Sequence, residues 1–243
     1  MYLPSAGWRR GAVGFGRTAC GLVTVLATFA CSGTPTGMGD LDAAWPTTAP
    51  VFYDPFDNLD PVWWLPSSHQ LGRGYLLPGN VTADGQLRIR ARFDAFTGGE
   101  LSSSAKYGTG SFTARMRCAT PAGTVCALFL YQTGVGNSAD EIDIEILPGT
   151  REVMFTAWQQ GTRTFSARKQ LGFDPAAAFH SYTIERTTTE LRFRVDGALK
   201  QTFRSKTKVP QALMPVFLNA WWPTWLTPGT ADGLLDVDEV MIR

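Results

Sequence analysis

Over residues 141–146 an acid and an isoleucine alternate without a break: Glu141, Ile142, Asp143, Ile144, Glu145, Ile146. Successive side chains of a strand point to opposite faces, so this pattern sets three carboxylates on one face and three isoleucines on the other. A helix, with its period of 3.6, does not sort the two classes in this way. The isoleucine face has to be buried, and burying it takes a second layer. Similar short runs with β-rich composition recur at 86–93, 111–118, 125–131, 152–158, 181–186, 191–195, 216–221 and 234–242. Asp84-Gly85 and Asp196-Gly197 supply hairpin-type turns between such runs. The one helical stretch expected is a short turn at 175–179. Many strands at short spacing predict an all-β chain of two antiparallel sheets, a sandwich or a jelly roll.

A chain of 243 residues with 44% hydrophobic and 18% charged residues can bury one large core and lacks the signature of disorder. The formal charge of +1 conceals an uneven distribution, because residues 1–30 hold Arg9, Arg10 and Arg17 and no acid. Removing those three from the 22 basic residues leaves 19 against 21 acids. A near-neutral body with scattered Lys and Arg is not expected to bind nucleic acid. The three arginines precede an uncharged run, 18–30, shorter than the roughly 20 apolar residues of a membrane-spanning helix, so 1–30 reads as a signal peptide and the chain as exported. Ala30-Cys31 resembles a lipoprotein box, with Cys31 lipidated and the chain attached to a membrane; cleavage after Ala30 by an ordinary signal peptidase is the alternative. Residues 31–50, rich in Gly, Thr, Pro and Ala, read as a flexible linker, and 51–243 as one monomeric domain.

Cys118 and Cys126 are the two cysteines of that domain. In an exported chain they predict a disulfide rather than a zinc site, since zinc takes about four ligands and the chain has two histidines. The sequence contains no nucleophile elbow, no H-E-x-x-H and no P-loop. What remains is the acidic face of 141–146. It can be a solvated strand surface, but like charges on one face repel, and no basic partner is evident nearby. Paired carboxylates about 5 to 5.5 Å apart are the machinery of retaining glycoside hydrolysis. Residues four apart on an ideal strand have Cα atoms about 13 Å apart, so Glu141 and Glu145 require converging side chains on a twisted strand.

The run Glu141-Ile142-Asp143-Ile144-Glu145, preceded by 107–116 and Gly123-Thr124-Val125 and followed by Phe179-His180-Ser181-Tyr182 and Val195-Asp196-Gly197, resembles glycoside hydrolase family sixteen. The resemblance runs from about Phe52 to Arg243. It implies a concanavalin-like jelly roll that binds a polysaccharide, needs no cofactor for catalysis and acts by double displacement. Glu141 would be nucleophile, Asp143 its hydrogen-bonding assistant and Glu145 general acid/base. With no residue inserted before Glu145, the run resembles the branch of lichenases, xyloglucan-active enzymes and wall transglycosylases. The resemblance further implies substrate contacts from Glu100, Phe129, Tyr131, Trp158, Asn219 and Trp221, with core packing as the other reading of the aromatics. The family's usual Arg two residues after Glu100 is Ser102 here. Trp63 and Trp64 are expected at a rim of the cleft, while Trp222 and Trp225 have no assigned place. Some relatives bind structural calcium, which would fall at Pro55, Gly85 and Asp238. His180 is expected to anchor a strand. The resulting expectation is a retaining endo-β-glucanase. A transglycosylase would share every catalytic residue, and a noncatalytic carbohydrate-binding sandwich would keep the aromatics without needing three acids.

Overall fold

A computed structural model of the chain describes residues 51–134 and 138–243. The segments expected to be a signal peptide and a linker, Cys31 included, lie outside the described residues. Among the described residues seventeen strands follow in chain order: β1 Phe52–Asp54, β2 Trp64–Pro66, β3 His69–Leu71, β4 Gly74–Leu76, β5 Val81–Ala83, β6 Leu87–Ala91, β7 Gly99–Ser103, β8 Gly110–Ala119 and β9 Val125–Gln132. Then come β10 Asp140–Leu147, β11 Glu152–Gln159, β12 Thr162–Gln170, β13 His180–Arg186, β14 Glu190–Val195, β15 Ala198–Arg204, β16 Val216–Trp221 and β17 Gly233–Ile242. Residues 175–177 form a turn without a helix, and the one short 3₁₀ turn described is Pro78–Asn80.

Two antiparallel sheets make the sandwich. The first runs β15-β14-β13-β8-β17-β6-β5, with β1 also paired to β17; the second runs β12-β11-β10-β9-β16-β7-β2. Alternation decides which side chains meet between them. In β8 Phe112, Ala114, Met116 and Cys118 point inward and are buried, while Ser111, Thr113, Arg115 and Arg117 point out. In β10 the three isoleucines are fully buried and join Leu128, Leu130, Phe155 and Leu218 of the same sheet in the core. Each such side chain contributes roughly 1.5–3 kcal/mol of transfer free energy, so a one-residue slip of β10 would replace that gain with buried carboxylates.

Cys118 and Cys126 are joined, with Cα atoms 6.1 Å apart. They do not face each other across a hairpin, because Cys118 lies near the end of β8 in one sheet and Cys126 near the start of β9 in the other. The bond therefore ties the two layers. His180 Nδ1 lies 2.7 Å from Asp196 Oδ2, fixing the start of β13 against the β14–β15 turn.

One expectation is corrected. Trp64 belongs to the core and not to a rim: it is fully buried, and its Nε1 donates to Asp54 Oδ2 at 2.6 Å. Of the positions expected to hold calcium, Pro55 and Gly85 can offer only main-chain oxygens. Asp238, the one carboxylate among Pro55, Gly85 and Asp238, is half-buried and accepts a hydrogen bond from Arg115. Among the described residues no three His, Cys, Asp or Glu side chains gather as a metal site would.

Candidate active site

β10 lies inside the second sheet, flanked by β9 and β11, and the pairing register fixes what stands beside each acid. Glu141 is opposite Tyr131 and Trp158, Asp143 opposite Phe129 and Thr156, and Glu145 opposite Ala127 and Met154. Farther along the same face, Asn219 pairs with Ala127 and with Glu100, and Phe217 pairs with Phe129 and Ser102. The nine site residues expected from the sequence thus share the outer face of one sheet. That face is recessed: Asp143, Thr156, Asn219 and Glu100 are each no more than 5% exposed although none points into the core.

Aromatic side chains build the walls of the recess. Val125, Ala127, Phe129 and Leu147 form a second apolar cluster outside the sandwich core, with Tyr131, Phe217, Trp221, Trp225 and Leu226 packed on it. Phe129 stacks on Phe217 at 4.9 Å and is buried, so it makes floor, whereas Tyr131, Trp158 and Trp221 remain partly open to the cleft. Trp222, next to Trp221, points the other way into the core against Phe93 and Phe96. The β3–β4 hairpin holds the segment after β16. Arg73 donates through Nε to the carbonyl of Pro223 at 3.1 Å and through Nη2 to those of Thr224 at 3.2 Å and Leu226 at 2.8 Å. At the tip Gly72, with φ of 61°, passes so near that a Cβ would stand 2.2 Å from the Trp222 carbonyl oxygen and 2.8 Å from the Trp221 ring. No other residue fits that approach.

Burial and mutual repulsion set the protonation of the acids. Loss of water lifts Glu141 from its usual 4.5 to about 7; a hydrogen bond from Asp143 opposes the rise, and the charges of Glu145 and Glu100 add to it. Asp143 is pushed well above its usual range by burial and then by Glu141, against the hydrogen bond that Thr156 Oγ1 donates to its Oδ2. Glu145 rises to about 8 through burial and the charge of Asp143, with Arg168 pulling it back. A column of acids that cannot all ionise together holds protons at neutral pH. Its members can therefore donate and accept protons under conditions where exposed carboxylates cannot.

Glu100 stands at the far side of the recess and accepts a hydrogen bond from Asn219 Nδ2 at 3.1 Å. Burial raises it, while His69 and Ser67 work in the opposite direction. Thr156, Phe217, Ser67, His69, Arg168 and Trp225 were not singled out as contributors to the site by the sequence. Thr156 was legible in principle, once β11 is paired with β10 from the turn between them. The others come from strands and loops distant in the chain.

The family model described as glycosyl hydrolases family 16 matches residues 77–239. The chain is 30% identical over 213 residues to a beta-glucanase of Bacillus licheniformis, covering 83% of this chain and 82% of that protein. It is 31% identical over 192 residues to a beta-glucanase of Bacillus subtilis (strain 168), covering 72% and 76%. Among solved structures, the Bacillus licheniformis beta-glucanase superposes with a TM-score of 0.72 at 27% identity, over 81% of this chain and 99% of that one. The catalytic domain of an endo-1,3-beta-glucanase (laminarinase) from Thermotoga petrophila RKU-1 shares the fold, with a TM-score of 0.68 at 21% identity, over 80% and 96%.

Proposed function

The chain belongs to glycosyl hydrolases family 16, a family of glycoside hydrolases, and from that premise we propose that it is a retaining endo-β-glucanase of the lichenase-like branch. The observation that carries the reading is the column Glu141, Asp143, Glu145 on the floor of an aromatic-walled recess. Glu141, the less raised of the two glutamates, attacks the anomeric carbon as a carboxylate. Asp143 donates a hydrogen bond to it and is held in turn by Thr156. Glu145, raised to about 8, keeps a proton at neutral pH for the departing glycosidic oxygen. That oxygen leaves with the proton as the bond to Glu141 forms, and Glu145 then takes a proton from the water that cleaves the glycosyl-enzyme. Tyr131, Trp158 and Trp221 present ring faces and edges to the sugars, and Glu100 with Asn219 offers paired polar contacts. The unbroken spacing of the three acids supports the lichenase-like branch over one with an inserted residue. Export by residues 1–30, with Cys31 as a site of lipid attachment, and action as a monomer belong to the same proposal and rest on the sequence alone.

The test has two parts. A reducing-sugar screen over mixed-linkage glucan, laminarin, xyloglucan and agarose should show release of oligosaccharides from a β-glucan, and an added acceptor should leave hydrolysis the main outcome. Azide then assigns the glutamates. Glu145→Ala with an activated aryl β-glycoside should yield the β-glycosyl azide, because azide attacks the glycosyl-enzyme in place of activated water. Glu141→Ala should yield the α-azide by direct attack from the vacated face. The opposite pairing of anomers would reverse the two roles.

A further inference from the structure

One row of outer-face residues crosses six strands through Glu145: Arg168 on β12, Met154 on β11, Glu145 on β10, Ala127 on β9, Asn219 on β16 and Glu100 on β7. At strand spacings of about 4.8 Å the Cα atoms of Arg168 and Glu145 are roughly 10 Å apart, a span that an arginine and a glutamate side chain cover between them. The half-exposed guanidinium has two neighbours. It lies 3.8 Å from Glu152 Oε2 and 6.0 Å from the centre of the Trp225 ring, and Trp225 itself rests on the apolar cluster that walls the recess.

The charges around Glu145 are otherwise negative. From β10 itself Asp143 and Glu141 share its face, from β11 comes Glu152, and Glu100 stands at the end of the row. β9 and β16 bring Ala127, Phe129, Phe217 and Asn219, none of which ionises near neutral pH. Arg163, the other arginine of β12 on the cleft side, sits at the Glu141 end against Trp158, 5.7 Å from that ring. Arg168 is thus the cation placed in the row of Glu145.

We infer that Arg168 is a positioning residue for the reaction, supplying the positive charge that Glu145 needs whenever it stands as a carboxylate between its two proton transfers. The inference rests on the acid/base role proposed for Glu145. As the glycosidic C–O bond breaks and Glu141 bonds to the anomeric carbon, the proton of Glu145 goes to the leaving oxygen, and a carboxylate remains beside Asp143. It stays there until the attacking water returns a proton to it. Arg163 lies at the Glu141 end and His69 beside Glu100 at the far end of the row, so without Arg168 the charge acting on the anion is that of Asp143; the charge of Arg168 is what opposes the rise of Glu145 toward still higher pH. Glu152 and the Trp225 ring are the neighbours that orient the half-exposed guanidinium on this side of the sheet.

The experiment compares pH profiles of kcat/KM on the polysaccharide for the wild type, Arg168→Met and Arg168→Lys, with thermal unfolding measured alongside; Glu145→Gln is profiled on an activated aryl glycoside. The alkaline limb, expected in the wild type near pH 8, should move upward by about half a unit to one unit in Arg168→Met and stay in place in Arg168→Lys. On an aryl glycoside limited by release of the glycosyl-enzyme, kcat of Arg168→Met at pH 6 should fall roughly 3- to 10-fold and recover with azide. A limb that stays or moves down in Arg168→Met, whether or not KM rises, overturns the inference and makes Arg168 a sugar contact or a brace. The limb should vanish in Glu145→Gln. If it persists there, the role of Glu145 is what fails, whatever Arg168 does.

Discussion

Asp143 shows how much of this site is decided by single contacts. It is 5% exposed, receives the Thr156 hydroxyl on Oδ2 and hydrogen-bonds to Glu141, with both neighbours on the same face of adjoining strand positions. A carboxyl in that position keeps its proton and lends it to Glu141, which is what allows Glu141 to be the more readily ionised of two buried glutamates. Glu141→Gln keeps the size and a hydrogen-bonding amide, but its uncharged amide oxygen is too weak a nucleophile to replace the carboxylate that forms the glycosyl ester. It should lower kcat by about 10³-fold or more, with an unchanged far-ultraviolet circular dichroism spectrum. Near-wild-type turnover of the best substrate would remove Glu141 from the mechanism. The glutamates and Asp143 were legible in the sequence because they lie on one strand, where spacing alone fixes the face. Thr156 and Arg168 were not, because a hydroxyl or a guanidinium in an ordinary strand means nothing until its row is known.

At the scale of the element, β10 owes its conformation to its two neighbours as much as to its own alternation. Its period of two declared it a strand, and 86–93, 111–118, 125–131, 152–158 and 216–221 declared themselves in the same way. β12 and β15 did not. They are the edges of the two sheets, mostly half-buried or exposed, so nothing forces apolar residues onto alternate positions. The β3–β4 hairpin escaped notice for a related reason: each strand has three residues, and its role lies in Gly72 and Arg73 holding the Trp-bearing loop. The Cys118–Cys126 bond joins β8 to β9 across the sandwich and closes a short loop. Replacing both cysteines by serine should cost about 2–3 kcal/mol and lower the Tm by roughly 5–10 °C. Calorimetry of the variant, with mass spectrometry of the unreduced wild type to show the missing pair of hydrogens, checks this; an equal Tm would mean the bond adds no stability.

For the whole molecule, the cost of burying acids should appear in the stability curve. Glu145 titrates near 4.5 when unfolded and about 8 when folded, so the folded state binds more protons between those values. Stability contributed by the protonated form is complete below pH 4.5 and is lost as pH rises to about 8. Glu145→Gln, which cannot ionise, should therefore leave the Tm nearly unchanged at pH 4.5 and raise it at pH 8, by the equivalent of about 1–3 kcal/mol once screening by cleft water is allowed for. Scanning calorimetry at the two pH values decides it, and a gain of equal size at both would attribute the effect to packing. The sequence by itself determined that this chain makes strands, which side of β10 faces the core and which three carboxylates stand together, because those properties follow from a period of two within one short segment. Tertiary structure alone decided that Trp64 and Trp222 are core while Trp221 is wall, that Asp238 is taken by Arg115, and that Arg168 shares a row with Glu145. Those outcomes depend on which strands lie side by side, and residues far apart in the chain acquire a common face only when the sheets form.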